Sequence, residues 1–212
     1  RSPLREEQGR YFLDFADLEE KMKRGAQFYL LSSPHNPSGR IWSLEELNEV
    51  ATLCHRYGVI LLSDEIHGDL ALPGNKHHPF FSVSNMAGKL AIVASAPSKT
   101  FNCAGLKSSF LIIPDAAIRE KLRRKVENFH IYTNLFGLLA TRVVYETGDA
   151  WLDALVRYLQ QNATRMLEFI DAELPGVKAM MPDASYLLWM DCRGTGLDRK
   201  STRLNSSHES PS

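Results

Sequence analysis

The stretch Gln27–Asp64 constrains the fold more than any other part of the chain. It opens with "QFYLLS" (Gln27 to Ser32), a short apolar run stopped by Ser-Ser-Pro, with the length and flanks of a buried strand. A helix follows in "SLEELNEVATLCHRYG". Ser43 and Glu46 carry an S-x-x-E capping box, and Leu44, Leu47, Val50, Ala51 and Cys54 recur at helical spacing up to the stop at Gly58. "VILLSD" (Val59 to Asp64) is then a second strand, apolar enough to be buried on both faces. Strand, helix and strand in so short a span form a βαβ unit, with parallel strands and a right-handed crossover.

Further along, "LAIVASA" (Leu90 to Ala96) and "SSFLII" (Ser108 to Ile113) predict two more strands. Pro114 and Asp115 open a helix near Ala117 to Asn128, whose many Arg and Lys residues read as a solvated face. Helices are also predicted over Asn134–Glu146 and Ala150–Glu173. The second carries an apolar stripe of Leu152, Leu155, Val156, Leu159, Met166 and Ile170. "SYLLWMD" (Ser185 to Asp191) predicts a last strand. The expected fold class is α/β: a large-domain sheet with helices on both faces over residues 1–150, a long inter-domain helix over 151–173, and the start of a small C-terminal α/β domain over 174–197.

Bulk properties exclude several function classes. Lys+Arg and Asp+Glu both count 25, so no basic surface calls for nucleic acid. No apolar run approaches the ~20 residues of a membrane span. The three cysteines, Cys54, Cys103 and Cys192, form no CxxC pair and suit reduced thiols of a cytoplasmic protein. Cys54 and Cys103 are read as packing residues. The chain starts at Arg1, without a methionine. At the other end, "DRKSTRLNSSH" (Asp198 to His208) reads as an in-frame translation of a common sequencing-adapter DNA. Residues 198–212 are therefore set aside as a non-native tail, and the chain is expected to be truncated at both ends.

Ligands in open α/β sheets bind outside the carboxyl ends of the strands. Three polar clusters follow apolar strands here: "SPHNPSG" (Ser33 to Gly39), "SDEIH" (Ser63 to His67) and "SAPSKTFN" (Ser95 to Asn102). Alone, the first is a good turn, the second a helix cap and the third surface decoration. If the strands are neighbours, Asn36, Asp64 and Lys99 converge on one crevice. A lysine beside small residues can form an imine with an aldehyde. A carboxylate opposite can hold a pyridinium proton and make the ring an electron sink. An Asn amide can bond the ring's phenolic oxygen. Those are the requirements of pyridoxal 5'-phosphate (PLP).

The motifs "SPHNPSGRIW", "LLSDEIHGDL", "APSKTFNCAGLKSS" and "LLWMDC" resemble fold-type I PLP enzymes of the aminotransferase class I/II group, over about Gly25 to Leu197. Within that group the chain looks most like the MalY/PatB-like cystathionine β-lyase (C-S lyase) branch. The resemblance implies the aspartate aminotransferase fold, with Lys99 as the Schiff-base lysine, Asp64 at the pyridine nitrogen and Asn36 at the phenolic oxygen. His67 stands where many aminotransferases carry tyrosine and the lyase branch often shows histidine. Ser98 and Lys107 stand where the family places phosphate-binding groups. Two departures are visible: Ala96 replaces the common Ser or Gly, and Lys107 replaces the usual Arg, giving a point charge instead of a fork. The family's other phosphate loop and its substrate-clamping Arg are absent, so this fragment alone is expected to be inactive. The resemblance further implies a homodimer, with Thr133 or Asn134 near the partner's site.

The activity so implied is β-elimination from cystathionine or a related cysteine S-conjugate, a small-molecule amino-acid substrate, to a thiol, pyruvate and ammonia. An aminotransferase on the same scaffold is the alternative, since the motifs around Lys99 serve both. A metal-binding or regulatory module is a distant third. Asp64, Glu65, His67, Asp69, His77 and His78 could suggest a metal, yet no HExxH-like spacing appears and none is expected to bind.

Overall fold

The computed structural model describes residues 1–196. The chain opens with a hairpin of β1 (Arg5–Glu7) and β2 (Arg10–Phe12), paired antiparallel. Its turn residues Gln8 and Gly9 both have positive φ, as a tight hairpin turn with matching twist requires. Then follow α1 (Phe15–Lys23), β3 (Phe28–Ser32), α2 (Leu44–Tyr57), β4 (Ile60–Asp64), the short α3 (Phe80–Val83) and α4 (Asn85–Leu90), β5 (Ala91–Ser95), the single turn α5 (Pro97–Thr100) and β6 (Phe110–Ile112). The chain continues with α6 (Ala116–Asn128), α7 (Leu135–Thr147), α8 (Asp149–Glu173), β7 (Lys178–Ala179) and β8 (Met190–Asp191).

β3, β4, β5 and β6 form one sheet in that order, the first three parallel and β6 antiparallel to β5. The expected βαβ unit is present as β3, α2 and β4. The capping box forms: the Glu46 amide donates to Ser43 Oγ at 3.2 Å, and the Ser43 amide donates to Glu46 Oε2 at 2.8 Å. Gly58 takes the left-handed conformation. Its amide bonds the His55 carbonyl and the Val59 amide bonds the Cys54 carbonyl, the paired closure that satisfies a helix end.

One face of the sheet holds the core. Leu31, Leu61 and Val93 point to it, packed with Leu18 and Met22 of α1, Leu47, Val50 and Cys54 of α2, and Phe80 and Ala87 of α3 and α4. The opposite face is more open than the apolar run Val59–Asp64 suggested: Ile60 and Leu62 are half-buried, and Phe28 and Leu30 are 66% and 69% exposed. Two further expectations shift. The α8 stripe is half-buried except for Ile170, which is buried, and Met166, which is exposed. The strand expected over Ser185–Asp191 shrinks to Met190–Asp191, because Ser185 takes a φ of 78° and its partner β7 offers only Lys178–Ala179. The tail read as adapter-derived, and Leu197 before it, lie outside the described residues.

Arg40 staples α2 to the loop after β3. Its guanidinium bonds both oxygens of Glu46 at 3.1 Å and the Tyr11 carbonyl at 3.0 Å, and lies over the rings of Phe12 and Trp42. Ser43→Ala is expected to cost about 1 kcal/mol, the loss of one cap. Glu46→Ala is expected to cost about 3 kcal/mol, because it also strips a carboxylate from the buried Arg40. Chemical denaturation of the two variants side by side checks the ranking.

Candidate active site

Register aligns the strand ends. Ser32 pairs with Asp64, and Asp64 with Ala94, so the turns after β3, β4 and β5 leave the sheet from one edge. β6 runs the other way with Phe110 opposite Ser95, so the loop carrying Ser98, Lys99 and Lys107 begins and ends at that same edge.

The first turn is built around Ser32. Its hydroxyl donates to the Pro34 carbonyl and accepts from the Asn36 amide, both at 3.1 Å, while its own carbonyl accepts from Trp42 Nε1 at 2.8 Å. His35 Nδ1 lies 2.8 Å from Ser38 Oγ. The Asn36 side chain is exposed at the tip, with no hydrogen bond among the described residues.

The second turn alternates outward and inward. Asp64 is exposed and, among the described residues, its side chain accepts only from the Ile66 amide, at 3.2 Å. Glu65 turns inward, where its carboxylate accepts from Ser63 Oγ at 2.8 Å and the Phe80 amide at 2.8 Å and bonds His77 Nε2 at 2.9 Å. The His77 ring lies against Gly68, where a Cβ would come within 2.8 Å of it, so a side chain at residue 68 would have to displace the ring from Glu65. His67 is buried, with Nδ1 at 3.2 Å from Ser185 Oγ and its ring edge-on to Tyr186.

In the third turn Ala96 and Pro97 start α5, which exposes Lys99 and leaves Ser98 half-buried. Lys99 has no ion pair among the described residues. The buried Thr100 ties this turn to the second one, donating to Asp69 Oδ2 at 3.2 Å, and Tyr145 donates to the same oxygen at 3.1 Å. Lys107 is exposed and left-handed at the end of the short turn Ala104–Leu106, which packs on α5.

Electrostatics link the second and third turns through the His67 ring. Burial holds the His67 pKa below its ordinary value. The Lys99 charge pushes it down further, and the Asp64 charge pulls it up. Both charges therefore act on one ring. Of these anchors, Glu65, Asp69 and His77 enter the sequence reading only as candidate metal ligands and Thr100 not at all; strand alternation through Ser63-Asp64-Glu65 is the available signal for an inward Glu65. Asn134 caps α7 and bonds the Leu106 carbonyl at 2.7 Å, while Thr133 is half-buried. Cys54 is buried in the core, which pushes its thiol up to about 12. Among the described residues no group of three or more His, Cys, Asp or Glu could hold a metal ion.

A family model for aminotransferase class I and II matches residues 2–207. The chain belongs to that family. It is 44% identical over 198 residues to cystathionine β-lyase PatB of Bacillus subtilis, covering 92% of this chain and 51% of PatB. It is 33% identical to protein MalY of Escherichia coli, over 89% of this chain and 48% of MalY. Among solved structures it is similar to cystalysin of Treponema denticola, which contains a pyridoxal 5'-phosphate cofactor. The TM-score there is 0.91 and the identity 32%, over 97% of this chain and 52% of that one. The chain thus spans about half the length of these relatives, and the PLP-dependent aminotransferase fold is the one it shares with them. No helix among the described residues is long and apolar enough to cross a membrane.

Two expected outcomes follow from the site's anchors and charges. Glu65→Ala leaves Ser63, His77 and the Phe80 amide without their acceptor and is expected to cost about 3 kcal/mol, against about 1 kcal/mol for Thr100→Val. For His67, the folded pKa lies below the unfolded value, so between the two the unfolded chain binds more protons. Stability is then full above the unfolded pKa and falls as pH drops through it; His67→Gln should flatten that acid slope in denaturation curves taken from neutral to mildly acidic pH.

Proposed function

We propose that the whole protein is a PLP-dependent carbon–sulfur β-lyase. It would cleave cystathionine or a related cysteine S-conjugate, with water, to a thiol, pyruvate and ammonia. The observation that carries this reading is that Asp64 and Lys99 follow the neighbouring strands β4 and β5 at one edge of the sheet, where the charge of each acts on the His67 ring. The resemblance to PatB supports the lyase over the aminotransferase.

The residues present fit the cofactor. Among the described residues Lys99 has no ion pair, the Asn36 side-chain amide has no hydrogen bond, and Asp64 has a single backbone donor, so each keeps capacity for a ligand. When bound, the pyridine aldehyde supplies an electron sink for charge that develops at the substrate's α-carbon. Lys99 would tether the aldehyde at rest and take the α-proton as general base once released. Asp64 would hold the proton on the pyridine nitrogen. Asn36 would donate from its amide to the phenolic oxygen, and so orient the ring. Ser98 and Lys107 would hold the phosphate, with Lys107 acting as a point charge. His67, a buried ring on which both charges act, would form part of the cofactor's surroundings.

We further read the active form as a cytoplasmic homodimer. Ile131, Tyr132, Leu135, Phe136 and Leu139 are all exposed along the lead-in to α7 and its first turns, an apolar surface of the kind that subunits bury.

The test is an assay of the full-length protein with cystathionine. Pyruvate and free thiol released without an added keto acid support the lyase, whereas amino transfer that requires a keto acid overturns it. Lys99→Ala is expected to lower the rate by about 10³-fold or more, the scale of a lost general base, and to abolish the visible absorbance of the bound aldehyde.

A further inference from the structure

The segment 182–186 crosses both of the first two turns. The Asp183 and Ala184 amides donate to the Gly39 carbonyl at 3.0 and 2.9 Å. The Leu72 amide donates to the Asp183 carbonyl, and the Ser185 amide to the Leu70 carbonyl, each at 2.9 Å. Pro182 occupies the space above Gly39, where a Cβ would lie 2.4 Å from the proline ring. One side chain of this strap reaches a candidate site residue: Ser185 Oγ lies 3.2 Å from His67 Nδ1, and both residues are 3% exposed. Ser185 holds a φ of 78°, a region few non-glycine residues occupy, so its surroundings fix it there.

Hydrogen-bond saturation decides the direction of that bond. The Ser185 hydroxyl has no second partner among the described residues. If Nδ1–H donated, the buried hydroxyl proton would find no acceptor, which is costly. If the hydroxyl donates, its proton is satisfied and the neutral ring carries its own on Nε2. That nitrogen has no partner either, but it is not sealed off. Among the described residues the side-chain atom both buried and unpaired is His77 Nδ1.

We propose that Ser185 is a positioning residue that fixes neutral His67 as the Nε2–H tautomer, so that the ring presents a donor at its solvent-accessible edge. What the donor does in turnover rests on the lyase reading; the tautomer itself does not. The charged groups that act on the ring are Lys99 and Asp64, and Tyr186 packs against its face or edge without charge. A donor to Nδ1 favours the neutral ring, so removing the hydroxyl makes His67 easier to protonate.

Nitrogen-15 NMR of the His67 ring in the full-length protein, with and without PLP, tests this. The wild type should show the Nε2–H tautomer. Ser185→Gly suits the positive φ but lacks the hydroxyl. It should keep its melting temperature, mix the two tautomers, and raise the His67 titration midpoint by about 0.5–1 pH unit. Ser185→Thr strains the backbone but keeps the hydroxyl; it should melt lower and retain the Nε2–H form. A wild type in the Nδ1–H form, or a Ser185→Gly ring unchanged in tautomer and titration, overturns the proposal. Failure of the cystathionine assay with these NMR results intact would count against the lyase reading alone.

Discussion

Parallel register is the constraint on which the site depends. Ser32, Asp64 and Ala94 lie in one row across β3, β4 and β5. A helical crossover returns each strand in the same direction, so the residue that ends each apolar run must leave by the same edge. A reversed β4 would carry Asp64 to the far end of a five-residue strand, about 17 Å away. The antiparallel β6 extends the same logic, because it brings the Lys99 loop back to its starting edge.

Behind that edge the turns are held by largely buried charges. Arg40 sits between two aromatic rings with Glu46, Asp183 and backbone carbonyls around it. Glu65 has its three donors, His77 among them. Such pairs add little net stability over an apolar filling, because desolvation offsets most of the attraction. Their effect here is geometric. Each joins segments distant in sequence: Arg40 links β2, α2 and Asp183, and Glu65 links the end of β4 to the start of α3. Among the described residues the side chains left outside, Asn36, Asp64 and Lys99, have few partners or none.

Much of this was legible in the sequence, and the reasons are local. The capping box at Ser43 and Glu46, the glycine stop at Gly58 and the apolar runs of β3, β4 and β5 are signals carried within a few residues of one another. The three polar clusters could be placed on one edge because parallel pairing follows from the connecting helices. What could not be read depends on contacts between remote residues. The pairing of Glu65 with His77 spans a loop, and that of Ser185 with His67 spans most of the chain. The last strand was read too long because the apolar residues of "SYLLWMD" obey a strand pattern, while the backbone bends at Ser185 to lie across the turns. Neither the bend nor its cause is local.

The two adjacent carboxylates show how the sheet separates tasks between like residues. Along Ser63, Asp64 and Glu65 the side chains alternate between faces, as strand geometry requires. Ser63 and Glu65 point inward and bond each other; Asp64 points outward. Inside, an ionised carboxylate is tolerable only with its hydrogen-bonding capacity nearly filled, and Glu65 has three partners. At the edge, water can complete the shell of Asp64, so the fold leaves its oxygens uncommitted save for one backbone amide. Exchanging the two residues would put the shorter side chain where three fixed partners wait and the longer one at the exposed edge. The order Asp then Glu suits the period of the strand and the depth of each face, and with it which carboxylate is anchored inside and which is left exposed.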